Sequence, residues 1–183
     1  MAVDKTIPAQ TQPFEDVLVQ CIGDFVRWCV GQDIPIVKGW VNAVARPSVP
    51  YVMITPMGTA YNSTTCREYM PNEDDITRGS VTVSRSTSQK VQVDLYGSQA
   101  EMWARTVANL FADMTGADFL AQTDVTPLSV STPQDLTFID GNEQSEPRWM
   151  TELEVQLSPT FASTKVELDF FESVHVSTRG IAG

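Results

Sequence analysis

A single histidine, a pair of glutamates, an acidic run and three thiols are the residues of this 183-residue chain whose types could do chemistry. His175 stands between Val174 and Val176 in an alternating stretch, where a strand would point it away from both valines. A nucleophilic triad would need it as the base, but no serine lies in a Gly-x-Ser-x-Gly elbow, so it reads as an exposed strand histidine. Glu152 and Glu154 lie two apart on one strand face, ~7 Å from each other, a separation suited to paired glycosidase carboxylates. Outward glutamates on an amphipathic strand read first as a solvated face, which leaves a small hydrolase as the last alternative. Glu73-Asp74-Asp75 could hold a divalent ion but lacks the Asp-x-Asp-x-Asp-Gly spacing that wraps a loop around calcium, and it reads as a solvated acidic loop. Cys21 and Cys29 fall eight residues apart in a helical pattern. That places them ~12 Å apart along the axis, beyond the ~7 Å limit on disulfide Cα separation, so with Cys66 they read as buried thiols. Without Cys-x-x-Cys, a second histidine or a glycine-rich phosphate loop, the residues point to no enzyme, no metal and no cofactor.

The elements that would position these residues follow from periodicity. From Pro13 to Val30 the residues Phe14, Val17, Leu18, Cys21, Ile22, Phe25, Trp28 and Cys29 recur at intervals of three and four, the pattern of an amphipathic helix closed by Gly31. Gly23 within it costs ~1 kcal/mol against alanine unless another backbone packs closely there. Residues 32–49 carry Pro35, Gly39 and Pro47 and read as an irregular connector with a short strand near Trp40 to Val44. Tyr51 to Thr55 reads as a buried strand, with its end or a bulge at Pro56 and Gly58, and the Thr-rich Tyr61 to Tyr69 could pair with the next strand along the chain.

Ser80 to Ser86 and Lys90 to Tyr96 both alternate, with Thr87-Ser88-Gln89 between them. The expectation is an antiparallel hairpin with a Ser, Thr and Gln outer face, and one long bent strand is the alternative. Ser98 and Glu101 have capping-box spacing ahead of a helix running to Met114, with Gly116 closing it and one further turn at Asp118 to Ala121. Val125 to Ser131 and Leu136 to Ile139 are short strands. Arg148 to Leu157 alternates strictly, with Trp149, Thr151, Leu153, Val155 and Leu157 inward. Lys165 to Val176 is the last strand, with a phase slip that predicts a bulge near Phe170-Phe171. Helix, strands, helix, strands in that order predict an α+β fold: a mostly antiparallel, mixed sheet with two main helices packed on one face and an extended hairpin. Residues 1–12 read as a flexible N-terminal arm and 13–183 as one domain, within the capacity of a chain this long.

Twelve Lys and Arg against 23 Asp and Glu give a net charge of -11. No basic cluster grips phosphates, although DNA could still slide past such a surface. No apolar stretch approaches the ~20 residues of a membrane helix, and the N-terminus lacks a secretory pattern, so the protein is expected to be made and kept in the cytoplasm.

The stretch Val91-Gln-Val-Asp-Leu-Tyr-Gly97-Ser-Gln-Ala-Glu-Met-Trp-Ala-Arg-Thr-Val-Ala-Asn-Leu-Phe111, a strand ending in Tyr-Gly and running straight into a helix, resembles the tail-terminator (neck, head-tail joining) proteins of long-tailed phages. The helix at Pro13 to Val30, the connector at Arg46-Pro47 and the Pro50-Tyr-Val-Met-Ile strand occur in the same order as in that family. The resemblance implies a structural virion protein at the neck or top of the tail, without catalytic residues and without a cofactor. It further implies a homohexameric ring that caps the tail tube and ends its polymerisation, with the tail tube protein and the head-tail connector as partners and the sheath as a further candidate. DNA would pass through the lumen without specific binding. In such a ring Glu73, Asp74 and Asp75 are the candidate lumen-facing loop, and Arg85, Ser86, Thr87, Ser88, Gln89 and Lys90 the candidate intersubunit hairpin. Another ring-forming virion component, of the tube, baseplate or head-completion kind, is the nearer alternative.

Overall fold

Three strands carry the fold, because each alternates between side chains that want a core and side chains that want water. The computed structural model describes residues 14–31, 33–40, 47–71, 78–123, 125–139, 145–157 and 160–167. In chain order these form α1 (Phe14–Val30), β1 (Ile36–Lys38), β2 (Tyr51–Tyr61), β3 (Cys66–Pro71), β4 (Arg78–Ser84), β5 (Thr87–Tyr96), α2 (Ala100–Ala112), α3 (Met114–Leu120) and β6 (Val125–Val130). After them come β7 (Gln134–Asp135), β8 (Phe138–Ile139), β9 (Ser145–Glu146), β10 (Arg148–Leu157) and β11 (Thr160–Glu167).

The main sheet has the order β1-β2-β5-β10-β6, with β7 also on β10, and only the β1–β2 pair is parallel. Val52 and Ile54 of β2, Val91, Val93 and Leu95 of β5, and Leu153, Val155 and Leu157 of β10 meet Leu18, Ile22, Phe25, Trp103, Val107 and Phe111 of the two long helices in one core. The fold is therefore the expected α+β class, with both main helices on one face. Each fully buried aliphatic side chain in that layer contributes roughly 1.5–3 kcal/mol. Phe25 makes edge contacts with Phe111 at 5.7 Å and Phe119 at 5.5 Å, which ties α1 to α2 and α3. Lys38, at the end of β1, reaches Glu15 at 3.1 Å and Asp16 at 2.9 Å and fastens the first turn of α1 to the sheet edge.

Several boundaries differ from the sequence expectation. Bulging of β2 at Pro56 and Gly58 does occur, as a register shift between Pro56 and Thr59. The capping box does not form: Gln99 is the N-cap without a side-chain hydrogen bond, and the Glu101 carboxylate is captured one turn on by Arg105 at 3.0 Å. Gly116 does not close α2; it lies inside α3, whose N-terminus Asp113 caps by accepting from the Thr115 N–H and hydroxyl. Gly23 meets only the side chains of Ile36 and Ile54, with no backbone close by. None of the cysteines is in a disulfide; Cys66 is exposed, and Cys29 is half-buried, with desolvation pushing its thiol up to about 12. His175 and the stretch Phe170-Phe171 fall outside the described residues, as do the N-terminal arm and residues 41–44 of the strand expected near Trp40 to Val44; Trp40 itself lies in a turn after β1.

A chief departure concerns the expected hairpin. Strands β4 and β5 do not pair with each other; β4 lies between β11 and β3 in a second sheet, while β5 lies between β2 and β10 in the first. The single-strand alternative is nearer to what forms: β4 runs on into β5 with an interruption at Arg85-Ser86, and the two halves lie in different sheets. The extended hairpin of this fold is β3–β4, paired from Cys66↔Ser84 to Pro71↔Gly79. Composition could not distinguish the two, because period-2 alternation says which side a residue faces and nothing about which neighbour it pairs with.

The tight approach at Gly116 gives a stability test. A Cβ there would meet Leu110 O at 2.7 Å and Phe111 Cα and O at 2.9 Å, all backbone atoms that cannot rotate away. Gly116→Ala gains helix propensity yet must push α3 off α2, and overpacking of this kind costs roughly 1–3 kcal/mol. Urea unfolding of the variant should show a lower midpoint; an unchanged or raised midpoint would show that the α2–α3 contact yields freely.

Candidate assembly surface

The face of the main sheet turned away from the helices is read off the strand register. Its rows are Tyr51, Tyr96 and Arg148; then Met53, Asp94 and Met150; then Thr55, Gln92 and Glu152; then Lys90 and Glu154. Asp94 is fully buried there although it lies on the outer face. Arg148 donates to its Oδ1 from Nε at 3.0 Å and approaches from Nη2 at 2.9 Å, while the Gln92 amide donates to Oδ2 at 2.7 Å. The Arg148 guanidinium also lies 5.7 Å from the ring of Tyr96, which stacks on Tyr51 at 4.4 Å. A buried carboxylate gripped through both oxygens joins β5 to β10 at the end of the sheet nearest Gly97.

Glu152 and Glu154 sit beside a shallow hollow of about 160 Å³ with Lys90, Ser129 and Ser131. The Ser129 hydroxyl donates to Glu154 Oε2 at 2.9 Å, and the register sets Lys90 opposite Glu154. The carboxylates are side by side on a half-exposed strand face, as expected, and their neighbours are serines and a lysine. Among the described residues no group of three or more His, Cys, Asp or Glu side chains is placed to hold a metal ion. No described helix is long and apolar enough to cross a membrane.

The second sheet, β11-β4-β3, repeats the order of β10-β5-β2 because each of its strands continues one of theirs. The chain runs from β2 to β3 through residues 62–65, from β4 to β5 through Arg85-Ser86, and from β10 to β11 through residues 158–159. At the links that the structure describes, residues 62–65 and Arg85-Ser86, the ladders of the three-stranded ribbon are interrupted, and this interruption is the crease. Arg85 holds it: its guanidinium lies 3.6 Å from the centroid of the Tyr61 ring, and its Nε donates to Ser63 O at 2.9 Å. Around it, Asn62 N donates to Ser86 O at 3.0 Å and Ser86 N to Ser63 Oγ at 3.2 Å.

Of the segment Arg85 to Lys90, then, Arg85 and Ser86 lie in the crease, Thr87, Ser88 and Gln89 are buried in β5, and Lys90 is exposed. Glu73, Asp74 and Asp75 fall outside the described residues; they belong to the link between the paired ends of β3 and β4. The Asp94–Arg148 grip and the Arg85 crease carried no sequence signal, since both depend on register between strands far apart in the chain.

The molecule is thus a helix-covered sheet whose three central strands continue into a second sheet, with an outer face gripped by Asp94 and Arg148. A family model described as phage neck terminator protein matches residues 16–181. The chain belongs to that family, and so is a structural component of the phage virion at the neck, where it meets other head and tail proteins. The family is not an enzyme family. No curated protein matches the chain.

Removing the Asp94 carboxylate should strand a partly buried guanidinium and an amide donor. Asp94→Ala is expected to lose about 3 kcal/mol, the scale of breaking a buried pair from one side. Asp94→Asn, which keeps an acceptor, should lose less. Urea melts that place both variants within experimental error of the parent would show the grip to be dispensable.

Proposed function

We propose that this chain forms a ring, most simply of six copies, that caps the tail tube, ends its polymerisation and offers the docking surface for the head connector. Membership of the neck terminator family over residues 16–181 is the observation that carries the reading. The fold supports it: the three central strands run on as β3, β4 and β11, a three-stranded extension available for contact with a neighbouring copy. A heterologous contact repeated around an axis closes without leaving a free end. In this reading residues 13–183 act as one domain, the arm at residues 1–12 reaches a neighbour, and the exposed or half-exposed Arg85, Ser86 and Lys90 lie toward one. The tube protein is met on one face and the connector on the other, with the sheath adjoining where the tail is contractile. Assembly takes place in the host cytoplasm. Glu73, Asp74 and Asp75 face the channel, where like charge keeps DNA phosphates from sticking because the loop offers no Lys or Arg to displace the counterions of the DNA.

The test adds purified protein to polymerising tube protein of the same phage and measures tube length by electron microscopy. Capping predicts shortened tubes with one decorated end, and phage lacking the gene should carry overlong or headless tails. Tubes of unchanged length, together with normal tails in the deletion, would overturn the reading. For the loop, the combined change Glu73→Lys, Asp74→Lys and Asp75→Lys should give filled particles that eject their genome slowly, with the defect relieved by high salt. Normal ejection from assembled particles would remove the three residues from the channel.

A further inference from the structure

Trp40 is held in a conformation that a bulky residue rarely adopts. Its φ is +59°, in the left-handed region, and its side chain is 78% exposed. Strain of this kind costs of order 1–3 kcal/mol and persists only where the surroundings impose it. Next to it Gly39 is held against β2: its N–H donates to Ile54 O at 2.8 Å, and a Cβ at Gly39 would lie 2.0 Å from Thr55 Oγ1, so only glycine can press this close. The turn after β1 thus presents an indole to solvent from one outer edge of the main sheet, where burial within its own chain would have been the favourable alternative.

At the opposite edge, between α2 and the turn from β6 to β7, lies an open groove of about 330 Å³. Its walls include Ala108, Ala112, Val130 and Pro133, with Arg105 and Asn109 along it. That volume is at the lower end of the ~300–1,000 Å³ of pockets that enclose small ligands, and suits a single bicyclic side chain.

Resting on the ring reading above, we propose that Trp40 of one copy seats in the α2/β6 groove of the next, and that this knob-and-groove contact is the repeated joint of the ring. Its two halves lie at opposite ends of the sheet order β1-β2-β5-β10-β6, as a head-to-tail contact requires. The chemistry is complementary. Asn109 supplies an acceptor for the indole N–H, and the alanines, Val130 and Pro133 an apolar wall. Copies of net charge -11 repel one another, so a joint between them needs an anchor that is not itself acidic.

Virions carrying the photo-crosslinking residue p-benzoylphenylalanine at position 40 provide the test. Irradiation should yield a band at twice the monomer mass, with position 40 joined to residues 105–112 or 130–133. In parallel, purified Trp40→Ala and Ala112→Trp, the second filling the groove, should each fold as the parent does and fail to form rings. Mixed in equal amounts they should stop at a heterodimer, since one intact knob meets one intact groove and neither can extend. Crosslinks confined to other regions or other proteins, or rings formed by either variant alone, would overturn the joint while leaving the neck reading intact. Absence of the protein from virions would overturn the neck reading itself.

Discussion

Everything in this fold hangs on the register of β5 between β2 and β10. Val91, Val93 and Leu95 face the helices with no exposed surface, and their partners Pro56, Ile54 and Val52 on one side and Leu153, Thr151 and Trp149 on the other face the same way. A slip of one residue would carry Gln92 and Asp94 beneath the helices and turn the valines to the outer face. The buried Asp94 makes that error costly, because a carboxylate in the core would lose Arg148 and Gln92 together. The outer-face ion pair therefore acts as a check on the inner-face packing, and hydrophobic and polar groups enforce one alignment.

With the register fixed, the remainder of the architecture is extension from it. Strands already aligned as β2, β5 and β10 emerge from beneath the helices in the same order and need only continue to make a second sheet. A longer flat sheet would expose backbone edges and accumulate twist. The crease breaks it instead, and the break leaves peptide groups without ladder partners. Asn62, Ser63 and Ser86 satisfy some of these with short local bonds, and the planar Arg85 guanidinium covers Tyr61 while donating to the Ser63 carbonyl. The Ser and Thr richness of this stretch is in that light a supply of local hydrogen bonds at a bend.

How much of this was legible in the sequence depended on the range of the interaction. Helix α1, strand β10 and the inward set of Trp149, Thr151, Leu153, Val155 and Leu157 were legible because periodicity is local and strict there. The β2 bulge was legible from Pro56 and Gly58. The capping box was misread because Ser98-x-x-Glu101 specifies a pattern while Arg105, four residues on, competes for the same carboxylate. The hairpin was misread for a different reason: two alternating stretches joined by three polar residues satisfy the hairpin template equally well when their true partners are residues 66–71 and 148–157. Of the site, the family resemblance carried by the Tyr96-Gly97 junction was legible, whereas nothing in the alternation of Lys90 to Tyr96 set Asp94 apart. Trp40 gave no signal, since its place rests on a left-handed backbone angle that no local pattern announces.

Much of the positive charge described in this chain is engaged within the fold. The chain has 12 Lys and Arg, and several are already committed within their own copy: Arg27 to Asp24, Lys38 to Glu15 and Asp16, Arg105 to Glu101 and Trp149, Arg148 to Asp94, and Arg85 to Tyr61. Each of these cations stands where two elements or two turns must be held, and the acidic excess is what remains for the surface. Neighbouring copies then meet with like charge at long range and gain little from exposed ion pairs at contact, which are worth well under ~1 kcal/mol each. Association of such a chain with itself has to rest on shape, apolar burial and backbone edges. It should accordingly be helped by salt, which screens the repulsion, whereas a contact built from ion pairs would be weakened by it.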